Sequence, residues 1–195
     1  MKTEPKRARW NRASVVERAG DLADQEGLDA LTLTRLAEVL GIRPPSLFNH
    51  VDSLGGLIRD LAVDAMGRLA DQLEAKLAEP HSPEQGLLGM MDDYRSFVHA
   101  HPGRYGATLA APAALAVEDP TFASVESRFM ELGLRLAGEF GLKGDDAVHT
   151  LRAWRAIAHG FSNLERNQGF GIPLDCDESY RRAVAALTPP RDSKP

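Results

Sequence analysis

The stretch Leu33-Thr34-Arg35-Leu36-Ala37-Glu38-Val39-Leu40-Gly41-Ile42-Arg43-Pro44-Pro45-Ser46-Leu47-Phe48-Asn49-His50-Val51 decides the fold. Its apolar residues recur at helical spacing on both sides of a glycine. That pattern predicts a short helix from Thr34 to Leu40, a turn at Gly41, and a further helix from Pro44 to about Val51. Ala37 is small where two helices must approach closely, and Gly41 tolerates the positive backbone angle of a tight turn. Proline suits a first helical turn because the amide it lacks would be unpaired there. With Leu36, Leu40, Ile42, Leu47 and Val51 turned inward, Arg43, Pro44, Pro45, Ser46, Asn49 and His50 are left on the outer face. A face of this kind fits the major groove of DNA, although an ordinary helical hairpin within a bundle shares the same scaffold pattern.

Working outward, helical periodicity continues and no segment alternates as a half-buried strand would. Asn11 is placed to cap a first helix bearing Val15, Val16, Ala19, Leu22 and Ala23, which Gly27 ends. After the central stretch, Asp52 or Ser53 opens a long helix with Leu54, Leu57, Ile58, Leu61, Ala65, Leu69, Leu73 and Leu77 in one stripe. Further helices are expected after Ser82-Pro83, as a short piece between Arg104 and Asp119, after Asp119-Pro120, from Asp145 or Asp146, and from Glu178 to Leu187. The reading is an all-α chain of about nine helices. Three short helices with a basic arm occupy residues 1–55, a larger helical domain residues 56–188, and a disordered tail residues 189–195. The long fourth helix joins the two domains.

The formal charge of the 195-residue chain is −5, which excludes binding to nucleic acid by bulk positive charge. Residues 1–18, however, hold six basic side chains against two acidic ones. Such an arm suits a phosphate contact, or it is a solvated terminus. The lone cysteine, Cys176, permits no internal disulfide and points to a reducing, cytoplasmic setting. No apolar run approaches the ~20 residues of a membrane span. The six histidines show no zinc-ligand spacing, and neither a phosphate-binding glycine loop nor a nucleophile motif is present. The residues thus argue against an enzyme, a metal and a cofactor.

Residues 12–60 resemble the N-terminal domain of the tetracycline-repressor (TetR) family. Gly27-Leu28 stands where that family ends its first helix. Thr32 to Ile42 matches the pattern T-x-x-x-(I/L)-A-x-x-(L/V)-G-(V/I), and Pro44 with Ser46-Leu47-Phe48-Asn49-His50-Val51 matches P-x-(S/T)-(L/I)-(Y/F)-x-H-(F/V). Leu57-Ile58 completes the match, which covers about a quarter of the chain. The resemblance implies a helix-turn-helix regulator that binds double-stranded DNA at a palindromic operator as a homodimer and responds to a small-molecule effector. Repression is the usual outcome in this family. A ligand-binding protein with a degenerate helix-turn-helix is the alternative. Two positions depart from the family: Phe48 replaces a tyrosine whose hydroxyl often reaches a phosphate, and Leu54 replaces a frequent lysine. Phe48 is left either to pack or to touch a thymine methyl.

Arg43, Ser46 and Asn49 are the candidates for base edges, since arginine suits guanine and asparagine suits adenine. Arg12, Thr34, Arg35 and His50 are candidates for phosphate, with a packed, half-buried role open for His50. Farther on, Trp154-Arg155-Ala156-Ile157-Ala158-His159-Gly160-Phe161 resembles the Trp-His-Gly type of ligand-binding domain in a branch of that family. This implies a dimer made by the last two helices. Arg152, Ala156, His159, Gly160 and Asn163 would face the partner, or solvent. Met91, Tyr94, Tyr105, Phe129, Trp154 and Phe161 are candidates to line an effector pocket or simply to fill the core. Few charges interrupt these stripes, so the expected effector is largely apolar. It would act by binding better to a dimer whose fourth helices are moved apart.

Overall fold

The computed structural model describes residues 10–111 and 119–188. The basic residues Lys2, Lys6, Arg7 and Arg9 and the tail 189–195 lie outside the described residues. Nine α-helices and one 3₁₀ turn occur among the described residues: α1 (Arg12–Glu26), the turn Leu28–Ala30, α2 (Leu33–Leu40), α3 (Pro44–Leu47), α4 (Leu54–Ala78), α5 (Pro83–Ala100), α6 (Pro102–Ala110), α7 (Pro120–Glu139), α8 (Gly144–Arg166) and α9 (Cys176–Ala186). The all-α reading holds.

Local chemistry sets most of the boundaries. The Asn11 side chain accepts from the Ser14 amide at 2.8 Å while the Ser14 hydroxyl accepts from the Asn11 amide, a reciprocal cap that opens α1. Gly27, at φ +93°, ends it. Thr32 caps α2, accepting from the Arg35 amide at 3.1 Å. Gly41 closes α2 at φ +66°, and the Ile42 amide then donates back to the Ala37 carbonyl at 3.0 Å. Ser53 rather than Asp52 caps α4, its hydroxyl accepting from the Gly56 amide. Ser82, Asp119 and Asp175 cap α5, α7 and α9 in the same way.

Several spans differ from the sequence expectation. The helix expected from Pro44 to Val51 is regular only to Leu47. Beyond it the amides of Asn49 and His50 bond three residues back and only Val51 bonds four back, to Leu47. The piece expected after Arg104 begins earlier, because Pro102 serves as a first-turn residue rather than as a break. α8 starts at Gly144, with Asp145 and Asp146 inside its first turn, where their charge suits the helix dipole. α9 starts at Cys176, two residues before Glu178, because Asp175 accepts from the amides of Asp177 and Glu178.

By contact the described chain divides into two compact units, residues 10–65 with 102–111 and residues 66–101 with 119–188. The first unit therefore includes α6 and the first half of α4, beyond a boundary at residue 55. Its core holds Val15, Ala19, Leu36, Ala37, Leu47, Leu57 and Leu61, all fully buried. α6 rests on α1 at Gly103, where a β-carbon would lie 2.1 Å from the Ala23 backbone. Beside it Asp24 accepts from the amides of Gly103 and Arg104, both at 2.9 Å. The Arg104 guanidinium is buried there. It contacts Asp24 closely, Asp21 at 3.0 Å and the Glu17 carbonyl at 3.0 Å. Burial opposes its charge, but the bonds to Asp24 and Asp21 outweigh burial and hold its pKa above the ordinary value.

The second unit centres on Trp154 and Tyr180, both fully buried. Trp154 donates its Nε1–H to the Leu187 carbonyl at 3.2 Å, and the Tyr180 hydroxyl donates to the Met91 carbonyl at 2.6 Å. Each large aromatic thereby packs with its polar end satisfied.

Candidate nucleic-acid interface and effector cavity

The outer face of the central stretch follows from where its apolar residues go. Leu47 and Val51 point into the core of the first unit together with Leu36 and Leu40, while Ile42 is half-buried. The short, proline-opened α3 then leaves Arg43, Pro44, Pro45, Ser46, Phe48 and Asn49 exposed, with Thr34 and Arg35 exposed on α2. His50 is half-buried. Phe48 is 55% exposed, so packing does not explain it. Arg43 makes no ion pair among the described residues.

The two other arginines singled out from the sequence are engaged within the chain. Arg35 bonds Glu26 at 2.6 Å and Glu38 at 3.3 Å, and those bonds, Glu26 first, raise its pKa. Arg12 bonds Asp60 at 2.7 Å and lies 3.9 Å from Asp52. Asp60 is itself buried and also takes Arg59 at 2.5 Å. Any phosphate these arginines hold must exchange with a carboxylate. Sequence reading missed Asp60, because a lone acid beside an apolar stripe carries no periodic signal. It also missed Trp10, whose Nε1–H donates to the Leu40 carbonyl at 3.2 Å and ties the residues just before α1 to α2.

In the second unit a narrow apolar cavity of about 20 Å³ is lined by Leu73, Met90, Met91, Tyr94, Phe129, Gly133, Leu151, Trp154, Arg155 and Ala158. Four of the six sequence candidates, Met91, Tyr94, Phe129 and Trp154, meet there. Tyr105 does not, since it is buried on α6 in the first unit. Phe161 does not either; it packs on Phe170 and Tyr180 at 4.7 and 5.0 Å between ring centres. Aromatic content alone could not separate these cases: Phe161 shares the α8 spacing of Trp154 and Ala158, and Tyr105 is a candidate only as a large aromatic on another helix. Gly133 lets α7 and α8 approach closely: a β-carbon there would lie 2.3 Å from a Leu151 methyl.

On the opposite side of α8, Arg152, Ala156 and Asn163 are exposed while His159 and Gly160 are half-buried. Leu164, Ile172 and Leu174 are exposed nearby in the chain, Ile172 and Leu174 by more than 70%. A second, polar cleft involves α5 and α9. There Arg95 bonds Glu165 and Asp177, and His99 bonds Glu165 at 2.8 Å. These bonds, that from Arg95 first, hold the Glu165 carboxyl below the usual glutamate range. No group of metal-ligating side chains and no helix long and apolar enough to cross a membrane occurs among the described residues.

Comparison with known proteins agrees with this geometry. Residues 87–187 match the model of the tetracyclin repressor-like C-terminal domain. An uncharacterized HTH-type transcriptional regulator of Mycobacterium tuberculosis is 34% identical over 188 residues, covering 96% of this chain and 84% of the relative. Among solved structures, a protein of unknown function from Rhodococcus sp. RHA1 superposes with a TM-score of 0.78 at 22% identity, over 95% of this chain and 97% of that one. A TetR variant of Acinetobacter baumannii in complex with minocycline superposes with a TM-score of 0.68 at 22% identity, over 92% and 94%. A TetR-like fold, an exposed helix-turn-helix face and a relative matched along almost the whole chain lead to one assignment: this protein belongs to the TetR family of helix-turn-helix transcriptional regulators and is not an enzyme.

Proposed function

We propose that the protein is a repressor that binds a palindromic operator as a homodimer and releases it when a small, largely apolar effector occupies the second unit. The observation that carries this reading is the apolar cavity walled by Met91, Tyr94, Phe129 and Trp154. At about 20 Å³ it has room for one water molecule. An effector must therefore select or create a wider state, and the flexible side chains of Met90 and Met91 are suited to repacking. Its influence on DNA binding equals its differential affinity for the two states. The minocycline complex of the Acinetobacter protein supports an effector role for a domain of this fold.

On the DNA side, Arg43, Ser46 and Asn49 read base edges, Phe48 meets a thymine methyl, and Pro44 and Pro45 shape the approach. Thr34, His50, Arg12 and Arg35 hold phosphates, the two arginines after exchange with their carboxylates. The arm at residues 1–9 adds charge. One such face reads few base pairs, so two-fold symmetry is needed for a full site. Arg152, Ala156, His159, Gly160 and Asn163 on α8 form the dimer contact. The Trp154, His159 and Gly160 pattern supports a Trp-His-Gly type of sensor domain. The test is a gel shift of the full chain on DNA from upstream of its own gene, at two salt concentrations, with sedimentation of the free protein. Sequence-selective, salt-sensitive retention by a dimer is expected. A monomer, or retention indifferent to sequence, would defeat the proposal.

A further inference from the structure

The cavity of the second unit has an uneven chemistry. Nine of its ten lining residues carry no charge, and the polar end of Trp154 is already bonded to the Leu187 carbonyl. The Tyr94 hydroxyl, too, is not an open charge. Arg155 is the exception. It lies on the wall, it is exposed, and among the described residues it has no carboxylate partner. Arg95, Arg128, Arg181 and Arg182 of this unit are each bonded to acidic side chains, and Arg135, Arg152 and Arg166, which like Arg155 show no acidic partner among the described residues, do not line the cavity.

An arginine in this position has its aliphatic stem against apolar surface and its guanidinium toward water. It therefore marks the boundary between cavity and solvent. The guanidinium is a planar fork of donors matched to a carboxylate, and it stays charged throughout the physiological range. An apolar slot ending at one uncompensated cation favours one kind of occupant: a hydrocarbon or aromatic body with a single anionic head. A neutral ligand leaves the cation unused, and a cationic one is repelled. The slot is also narrow, since Gly133 lets Leu151 close in from α8. An unbranched chain enters such a slot with less displacement of the wall than a bulky polycycle does.

We infer that the effector is an amphiphilic organic anion, its carboxylate held by Arg155 at the cavity mouth and its apolar body inserted between Met90, Met91, Phe129 and Trp154. This rests on the reading of the cavity as the effector site. The test is calorimetric titration of the full chain with three probes below their micelle concentrations: dodecanoate, dodecan-1-ol and dodecyltrimethylammonium. Dodecanoate should bind about tenfold more tightly than the alcohol, the difference expected of one charge-assisted contact, and the cation should bind least. Arg155→Met keeps the stem and removes the charge, so it should bring acid and alcohol within about twofold of each other. Arg182→Met, at an exposed arginine outside the cavity, should leave the preference intact. Acid and alcohol binding equally to the unaltered chain, or a preference that survives Arg155→Met, would overturn the inference and leave the cavity as an apolar site. Binding of none of the three probes would overturn both the inference and the effector reading of the cavity.

Discussion

Replacing Arg104 with methionine retains a long, unbranched side chain under α6 but removes a buried charge. Four carboxylates approach that guanidinium: Asp24, Asp21 at 3.0 Å, Glu17 at 3.2 Å and Asp64 at 3.8 Å. They are not equally dependent on it. The side chains of Glu17, Asp21 and Asp64 are 45%, 33% and 29% exposed and can turn to water when the arginine goes. Asp24 is 11% exposed and cannot, although it keeps the amide bonds from Gly103 and Arg104. Stranding one buried charge of a pair costs about 3–5 kcal/mol, and these two retained bonds place the variant at the lower end, about 3 kcal/mol. With a urea dependence of about 2 kcal/mol per molar, the unfolding midpoint should fall by about 1.5 M. Urea titration followed by circular dichroism at fixed protein concentration measures it. A double-mutant cycle with Asp24→Asn isolates the pair and should return a coupling of at least about 2 kcal/mol. A midpoint shift below about 0.3 M, or additive single effects, would show that the acidic surround stabilises little and that α6 is held on α1 by the close approach at Gly103 alone.

Arg43→Ala should weaken operator binding by about 1–3 kcal/mol and relax preference at one base position, as read by competition gel shifts with single-base operator variants. Deoxyuridine in place of thymidine, one operator position at a time, should weaken the parent protein at a single position per half-site and have no effect there on Phe48→Ala; a scan without any such position would remove Phe48 from base reading. Glu165→Gln should lose stability relative to the parent at neutral pH. Because the folded-state pKa of Glu165 is depressed, its contribution is complete above the ordinary glutamate value of 4.5 and is lost as pH falls through the lower folded value, so urea midpoints of the two proteins should converge in acid. Gly41→Ala should cost about 1 kcal/mol or more through the positive φ at that residue, visible as a lower thermal midpoint.

Much of this protein follows from local rules that a chain carries in its order. Asn11, Thr32, Ser82, Asp119 and Asp175 open helices because a short polar side chain reaches an amide two or three residues on. Gly27 and Gly41 close helices because they accept backbone angles that other residues resist. The apolar spacing around Ala37 and Leu47 turns Arg43, Ser46 and Asn49 outward, so the candidate DNA face was legible residue by residue. What stayed hidden depends on partners far along the chain. Arg12 and Arg35 read as free cations, yet Asp60 is 48 residues from Arg12, and Glu26 comes within reach of Arg35 only once Gly27 and the 3₁₀ turn have folded the chain back. Phe161 shares the spacing of Trp154 and Ala158 along α8 but packs elsewhere, because periodicity says which side of a helix is buried and not against what. Arg155 shows the same limit from the other direction. Its place beside Trp154 is a matter of sequence, but its standing as the single charge on an apolar wall arises only where α4, α5, α7 and α8 bring their side chains together.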